Sequence, residues 1–208
     1  MSPRQVGARR DEAILDLAGR FPVSARQVAA LLFRSPAGLR LARHRLQVLA
    51  ARGDLRREYE GGVGWLYARR RDQLGRKRLH GHALADLYVR LSRSGALLAW
   101  QEEAPLPGGQ ADARTVLDCG EVWWEVERDR PFDRWTLHQG HVLVVWTTER
   151  LAARTRYPDG VRGCAGHWGE APLAVARRAC AGPAEVPPMP TLRQELAGAR
   201  LVWRVPAR

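Results

Sequence analysis

The chain of 208 residues carries 34 Lys+Arg against 22 Asp+Glu, a formal net charge of +12, and has no apolar run approaching the ~18 residues that span a bilayer as a helix. Its three cysteines, Cys119, Cys164 and Cys180, are too few and too scattered for a disulfide framework, and its N-terminus lacks an apolar stretch of signal-peptide length. These features exclude a membrane-spanning helix and a disulfide-stapled architecture, and a cytoplasmic protein in a reducing compartment is expected.

The charge is unevenly spread. Residues 1–80 hold 18 Lys+Arg against 7 Asp+Glu, a net of +11, whereas residues 81–208 hold 16 against 15, a net of +1. Every cation except Lys77 is arginine, whose forked guanidinium suits phosphate and guanine contacts. The step predicts a domain boundary near His80 and a polyanionic partner for the first part.

In chain order, an amphipathic helix is predicted over residues 11–19, with Ile14, Leu15, Leu17 and Ala18 on one side. Phe21-Pro22-Val23 ends it, and Ser24 is a suitable N-cap for a second helix over residues 25–33. Ser35-Pro36 opens a third, which runs until Gly53 supplies a left-handed stop. On this third helix Leu39, Ala42, Leu46 and Leu49 share a core arc at about 100° per residue. The opposite arc carries Arg40, His44 and Gln47, flanked by Arg43 and Arg45.

Residues 55–60 and 65–68 read as two strands joined through Gly61-Gly62-Val63-Gly64, and the basic strip Arg69, Arg70, Arg71, Arg76, Lys77 and Arg78 follows. Three helices and a hairpin spell a winged helix, whose third helix enters the major groove of double-stranded DNA while the hairpin reaches a flanking groove or backbone. The expected DNA contacts are therefore Arg40, Arg43, His44 and Gln47 on the helix, Arg56 and Arg57 on the hairpin, and Arg69, Arg70, Arg71 and Lys77 beyond it.

In the second part a helix is predicted over residues 83–91, then strands over 97–100, 113–117, 122–126 and 142–147, with helices over 131–139 and 149–156. The order is α-β-β-β-α-β-α, with Trp123, Trp124, Trp135 and Trp146 in the core. After Pro158 glycines and prolines weaken the pattern; residues 173–179 are expected to add a strand and 183–190 to form a linker or wrap. The expected domains are residues 1–80, 81–157 and a C-terminal extension over 158–208.

Asp112 opens one strand, and Glu125 and Glu127 close the next. A hairpin would bring Asp112 to Glu125, and strand alternation would set Glu127 on the same side, a set able to hold Mg²⁺ against a phosphodiester. His138, His141, Cys164 and His167 form a second set, two pairs each spaced three apart, that would suit zinc. No glycine-rich phosphate loop, Ser/His/Asp order or dinucleotide fingerprint is present.

Over roughly its first 155 residues the chain resembles the replication-relaxation proteins of bacterial plasmids and mobile elements. The stretches that carry the resemblance are Arg10-Asp11-Glu12-Ala13-Ile14-Leu15, Ala42-Arg43-His44-Arg45-Leu46-Gln47-Val48-Leu49, His82-Ala83-Leu84-Ala85-Asp86-Leu87, Trp100-Gln101-Glu102-Glu103, Ala111-Asp112-Ala113, Glu125-Val126-Glu127-Arg128 and residues 142–150. The resemblance implies an α+β protein in which a winged-helix domain precedes an α/β domain shaped like a restriction endonuclease, of order αβββαβ, in a setting of plasmid replication or mobilisation.

The nuclease motif of that fold is an acid, then Glu or Asp, any residue, and Lys. Asp112 and Glu125 fill the first two places, but Glu127 stands where the lysine belongs and Ala111 where a proline usually precedes the aspartate. The lysine orients or activates the attacking water and stabilises developing negative charge, and a glutamate does neither. Arg114, Arg128 and Arg134 remain as cations, though arginine is a poor proton acceptor.

The resulting expectation is double-stranded DNA binding beside an inactive nuclease-like domain that serves assembly, as a homodimer or with replication or transfer proteins, with no cofactor. The alternatives are a Mg²⁺-dependent nuclease or nickase using Asp112, Glu125 and either Glu103 or Glu127, and a winged-helix transcriptional regulator.

Overall fold

Local signals set the element ends in the computed structural model, which describes residues 3–33, 35–129, 132–134, 138, 140–157 and 161–181. Helix α1 (Pro3–Arg20) is longer than its apolar pattern predicts, because only Ile14, Leu17 and Ala18 of its C-terminal half are fully enclosed. Pro22 ends it, and strand β1 (Val23–Ser24) follows. Ser24 then caps helix α2 (Ala25–Leu32): its backbone N–H and its hydroxyl donate to Gln27 Oε1 at 2.9 and 3.2 Å. The Gln27 amide in turn donates to the His82 carbonyl at 2.9 Å, so one buried glutamine ties the cap to helix α4 (Arg78–Ser94).

Helix α3 spans Gly38–Ala51, and Gly53 at φ 81° carries the chain out of it. Strands β2 (Arg56–Glu60) and β3 (Gly64–Ala68) pair antiparallel, and β1 joins the other edge of β3 through Val23 and Tyr67, giving the order β1-β3-β2. A 3₁₀ turn at Asp72–Leu74 leads into α4. The chain divides into two compact units, Met1–Val89 and Arg90–Arg208, so the division falls within α4. The first unit closes around Ile14, Phe21, Val28, Leu46, Leu49 and Leu66, each no more than 2% exposed.

The second unit is a five-stranded mixed sheet, β4 (Leu97–Leu106), β5 (Gly109–Leu117), β6 (Gly120–Val126), β7 (Val142–Thr147) and β8 (Arg162–His167), in that order. β4, β5 and β6 are antiparallel neighbours, while β6, β7 and β8 run parallel. Alternation sends Trp124 and Trp146 to one face, where their rings meet edge-on at 6.1 Å, and Trp123, Leu143 and Val145 to the other with Phe132. Trp123, Trp124 and Trp146 are thus core, while Trp135 lies outside the described residues.

Three expectations for the C-terminal part need correction. Residues 173–179 do not form a strand but most of helix α6 (Pro172–Cys180). Pro172 opens it, and Val175, Ala176 and Ala179 are buried at helical spacing, which the adjacent Arg177 and Arg178 would break in a strand. The helix expected over residues 149–156 is only α5 (Glu149–Ala152), started by Thr148, whose side chain accepts from the Leu151 N–H at 3.3 Å.

β8 was not anticipated, because Gly163, Gly166 and Gly169 read as a loop. Two of these glycines are demanded by packing: a Cβ on Gly163, at φ 154°, would stand 1.9 Å from the Leu143 carbonyl oxygen, and one on Gly166 would stand 2.6 Å from Val175 of α6. The helix predicted over residues 131–139 falls largely outside the described residues, and Phe132–Arg134 carry no regular structure; residues 183–190 lie outside them entirely. Among the described residues no helix is long and apolar enough to cross a membrane.

Candidate functional site

On α3 the two arcs separate at Ala42, Leu46 and Leu49, while Leu39, expected in the core arc, is only half-buried near the N-terminal end of the helix. Ala42, Leu46 and Leu49 are no more than 1% exposed, and Arg40, Arg43, His44 and Gln47 all face solvent. Arg45, expected on the flank of the outward arc, is instead held by α1: its Nε donates to Asp11 Oδ1 at 2.9 Å and its Nη2 pairs with Asp11 Oδ2. The outward face therefore presents two guanidiniums, an imidazole and an amide, and neither arginine forms an ion pair among the described residues. Such a group can both donate hydrogen bonds to and accept them from an outside partner.

The hairpin adds to this. Alternation along β2 sends Glu58 and Glu60 one way, where Arg78 meets them at 3.5 and 2.6 Å, and Arg57 and Tyr59 the other. Arg78 is thereby withdrawn from the basic strip predicted to follow the hairpin. Arg56, Arg57, Arg69, Arg70, Arg71, Arg76 and Lys77 remain exposed, although Arg70 lies 3.5 Å from the equally exposed Asp72. The Arg57 guanidinium sits over the Trp65 ring at 4.7 Å. The aromatic pair Tyr59 and Trp65 was missed in the sequence; its signal was the alternation of Arg57 and Tyr59 along a short strand.

In the second unit, the register that pairs Ala113 with Trp124 and Arg114 with Trp123 brings Asp112 opposite Glu125. Glu125 is 0% exposed, on the face shared with Trp123 and Val145. Its Oε1 lies 2.8 Å from His138 Nε2, and its Oε2 accepts from Arg134 Nη2 at 2.6 Å. Asp112 Oδ2 accepts from the Val126 N–H at 2.7 Å. Burial first, then the neighbouring Asp112 carboxylate, pushes the Glu125 pKa up to about 8 against the opposing pull of Arg134. Burial also lowers the His138 pKa to about 4, aided by the Arg134 charge. Both shifts favour the neutral forms across the His138–Glu125 contact.

This geometry does not assemble the predicted metal sets. Among the described residues no group of three or more His, Cys, Asp and Glu is disposed to hold a metal ion. Glu127 lies past the end of β6 at Val126 and is the least of the influences that move the Glu125 pKa. Glu103, at φ 48° on β4, is exposed. Asp112 and Glu125 are two carboxylates without a third acid beside them among the described residues, and both Glu125 oxygens are already engaged by His138 and Arg134.

The zinc quartet fails for a reason of topology. His138 sits with Glu125, Trp123 and Phe132 on one face of the sheet, whereas the Cys164 thiol donates to the Val175 carbonyl of α6 on the other. His141 stacks on Trp123 with ring centroids 4.5 Å apart, and His167 Nδ1 accepts from the Gly169 N–H at 3.1 Å. Of the cations considered for the missing lysine, Arg134 reaches Glu125, Arg114 pairs with Glu121, and Arg128 lies over Trp168.

No family model, curated protein or solved structure matches the chain.

Proposed function

We propose that the first unit is a winged helix that binds double-stranded DNA through the outward face of α3, with the β2–β3 hairpin as its wing. The observation that carries this reading is the exposure of Arg40, Arg43, His44 and Gln47 on one arc of a helix whose opposite arc buries Ala42, Leu46 and Leu49. The exposed Arg56, Arg57, Arg69, Arg71 and Lys77 support it by extending the basic surface beyond the helix. The resemblance to the replication-relaxation proteins favours a role in replication or mobilisation of a plasmid or mobile element, and on that reading the second unit serves as an assembly module.

A mobility-shift titration against random duplexes at two salt concentrations tests the proposal. Replacing both arginines (Arg40→Ala with Arg43→Ala) is expected to weaken binding by roughly thirtyfold or more, at ~1–3 kcal/mol per lost contact, and wild-type affinity is expected to fall steeply with salt. Unchanged affinity in the double variant would sink the assignment of this face.

Asp112 beside Glu125 favours one second reading, a nuclease, although Glu125 is engaged as described. Cleavage of supercoiled DNA with Mg²⁺ or Mn²⁺ by wild type, and not by an Asp112→Ala variant, would establish it.

A further inference from the structure

Tyr59 and Trp65 face each other across the hairpin and stay 63% and 46% exposed. Their rings meet edge-on, 5.6 Å between centroids at 75°, and Arg57 covers the Trp65 ring at 4.7 Å. Two large rings left this far in water on the hairpin forgo burial. The acids of the hairpin are neutralised elsewhere: Glu58 and Glu60 turn to Arg78, on the side away from Arg57 and Tyr59. The aromatic side thus carries Arg57 beside the two rings, with no glutamate of β2 on it.

An exposed aromatic pair with a guanidinium over one ring matches one kind of ligand closely. A nucleobase offers a π face to stack, and its phosphates offer charge for the guanidinium. Inside a duplex those faces are already stacked on each other, and only an unpaired base presents one. We propose that the hairpin stacks an unpaired base, so that the preferred ligand is a duplex continued by a single strand, as at a fork or an overhang. The inference rests on the DNA-binding reading of α3, which would hold the paired part. A greasy protein partner fits less well, because the Arg57 guanidinium lies over one of the two rings.

Fluorescence anisotropy with a blunt duplex, and with the same duplex extended by a random single-stranded arm, tests this. Wild type is expected to bind the armed duplex about tenfold tighter, equivalent to ~1.4 kcal/mol and within the range for one base stacked on an aromatic ring. Tyr59→Ala and Trp65→Ala should each erase most of that preference while weakening blunt-duplex binding far less than armed-duplex binding, and Trp65→Phe should retain most of it. Thermal melting of each variant verifies that the fold persists. Equal wild-type affinity for the two DNAs, or an equal loss on both in the aromatic variants, overturns the inference and leaves the α3 reading standing. Binding to neither DNA overturns both.

Discussion

The outward face of α3 and the cluster around Glu125 are both built from charged side chains, yet they obey opposite constraints. Arg40 and Arg43 stand in water, where solvation makes an unpaired charge inexpensive and leaves it available to an outside partner. Glu125 has no water, and its oxygens are engaged by His138 and Arg134. The burial of each group displaces the pKa values of Glu125 and His138 towards their neutral forms. The difference teaches that polar residues mean different things by location: exposed and unpaired they point outward to a ligand, whereas buried and mutually satisfied they fix the arrangement of the core.

Three measurements would break or sharpen that contrast. The largest effect is expected inside α3 itself. Leu46 is 0% exposed, so Leu46→Ala should cost about 3 kcal/mol in chemical denaturation, whereas Gln47→Ala next to it should stay within about 0.5 kcal/mol. Similar costs at the two positions would mean that the arcs are not divided as described.

A smaller effect is expected from pH. The Glu125 pKa is raised from 4.5 to about 8 in the folded protein, so its stabilising contribution is complete below pH 4.5 and is lost as pH rises through 8. The His138 pKa is lowered from 6.5 to about 4, so its contribution is complete above pH 6.5 and is lost as pH falls through 4. Between pH 6.5 and 8 only the Glu125 contribution changes. Wild type should therefore lose on the order of 1 kcal/mol more than Glu125→Gln across that window in denaturation followed by tryptophan fluorescence. Parallel pH profiles would show that Glu125 is already ionised in the fold.

The smallest effect is expected at Arg45, which neighbours the proposed contact face but is held by the half-buried Asp11. Arg45→Ala should lower stability by less than about 1 kcal/mol and leave duplex affinity within about twofold. A loss of affinity comparable to that of the Arg40 and Arg43 double variant would return Arg45 to the contact face.

Much of the first unit was legible in the sequence because its signals are local. The Ser24 cap, the left-handed Gly53 and the spacing of Ala42, Leu46 and Leu49 each specify their own surroundings within a few residues. The pairing of Arg45 with Asp11 and of Arg78 with Glu58 and Glu60 was not legible, since each partner comes from another element. In the second unit the strand cores were readable from their apolar runs. β8 was not, because its glycines owe their place to a neighbouring carbonyl and to α6, not to any preference for extended structure.

The sequence by itself determined the division of charge, the two arcs of α3 and the meeting of Asp112 with Glu125, all consequences of periodicity or of pairing between adjacent strands. Tertiary structure alone decided which cations stay unpaired, that Tyr59 and Trp65 remain in water, and that His138 and Cys164 occupy opposite faces of one sheet. The physical reason is that burial, ion pairing and the sidedness of a sheet depend on which distant segments pack together, and spacing along a single element carries no record of that.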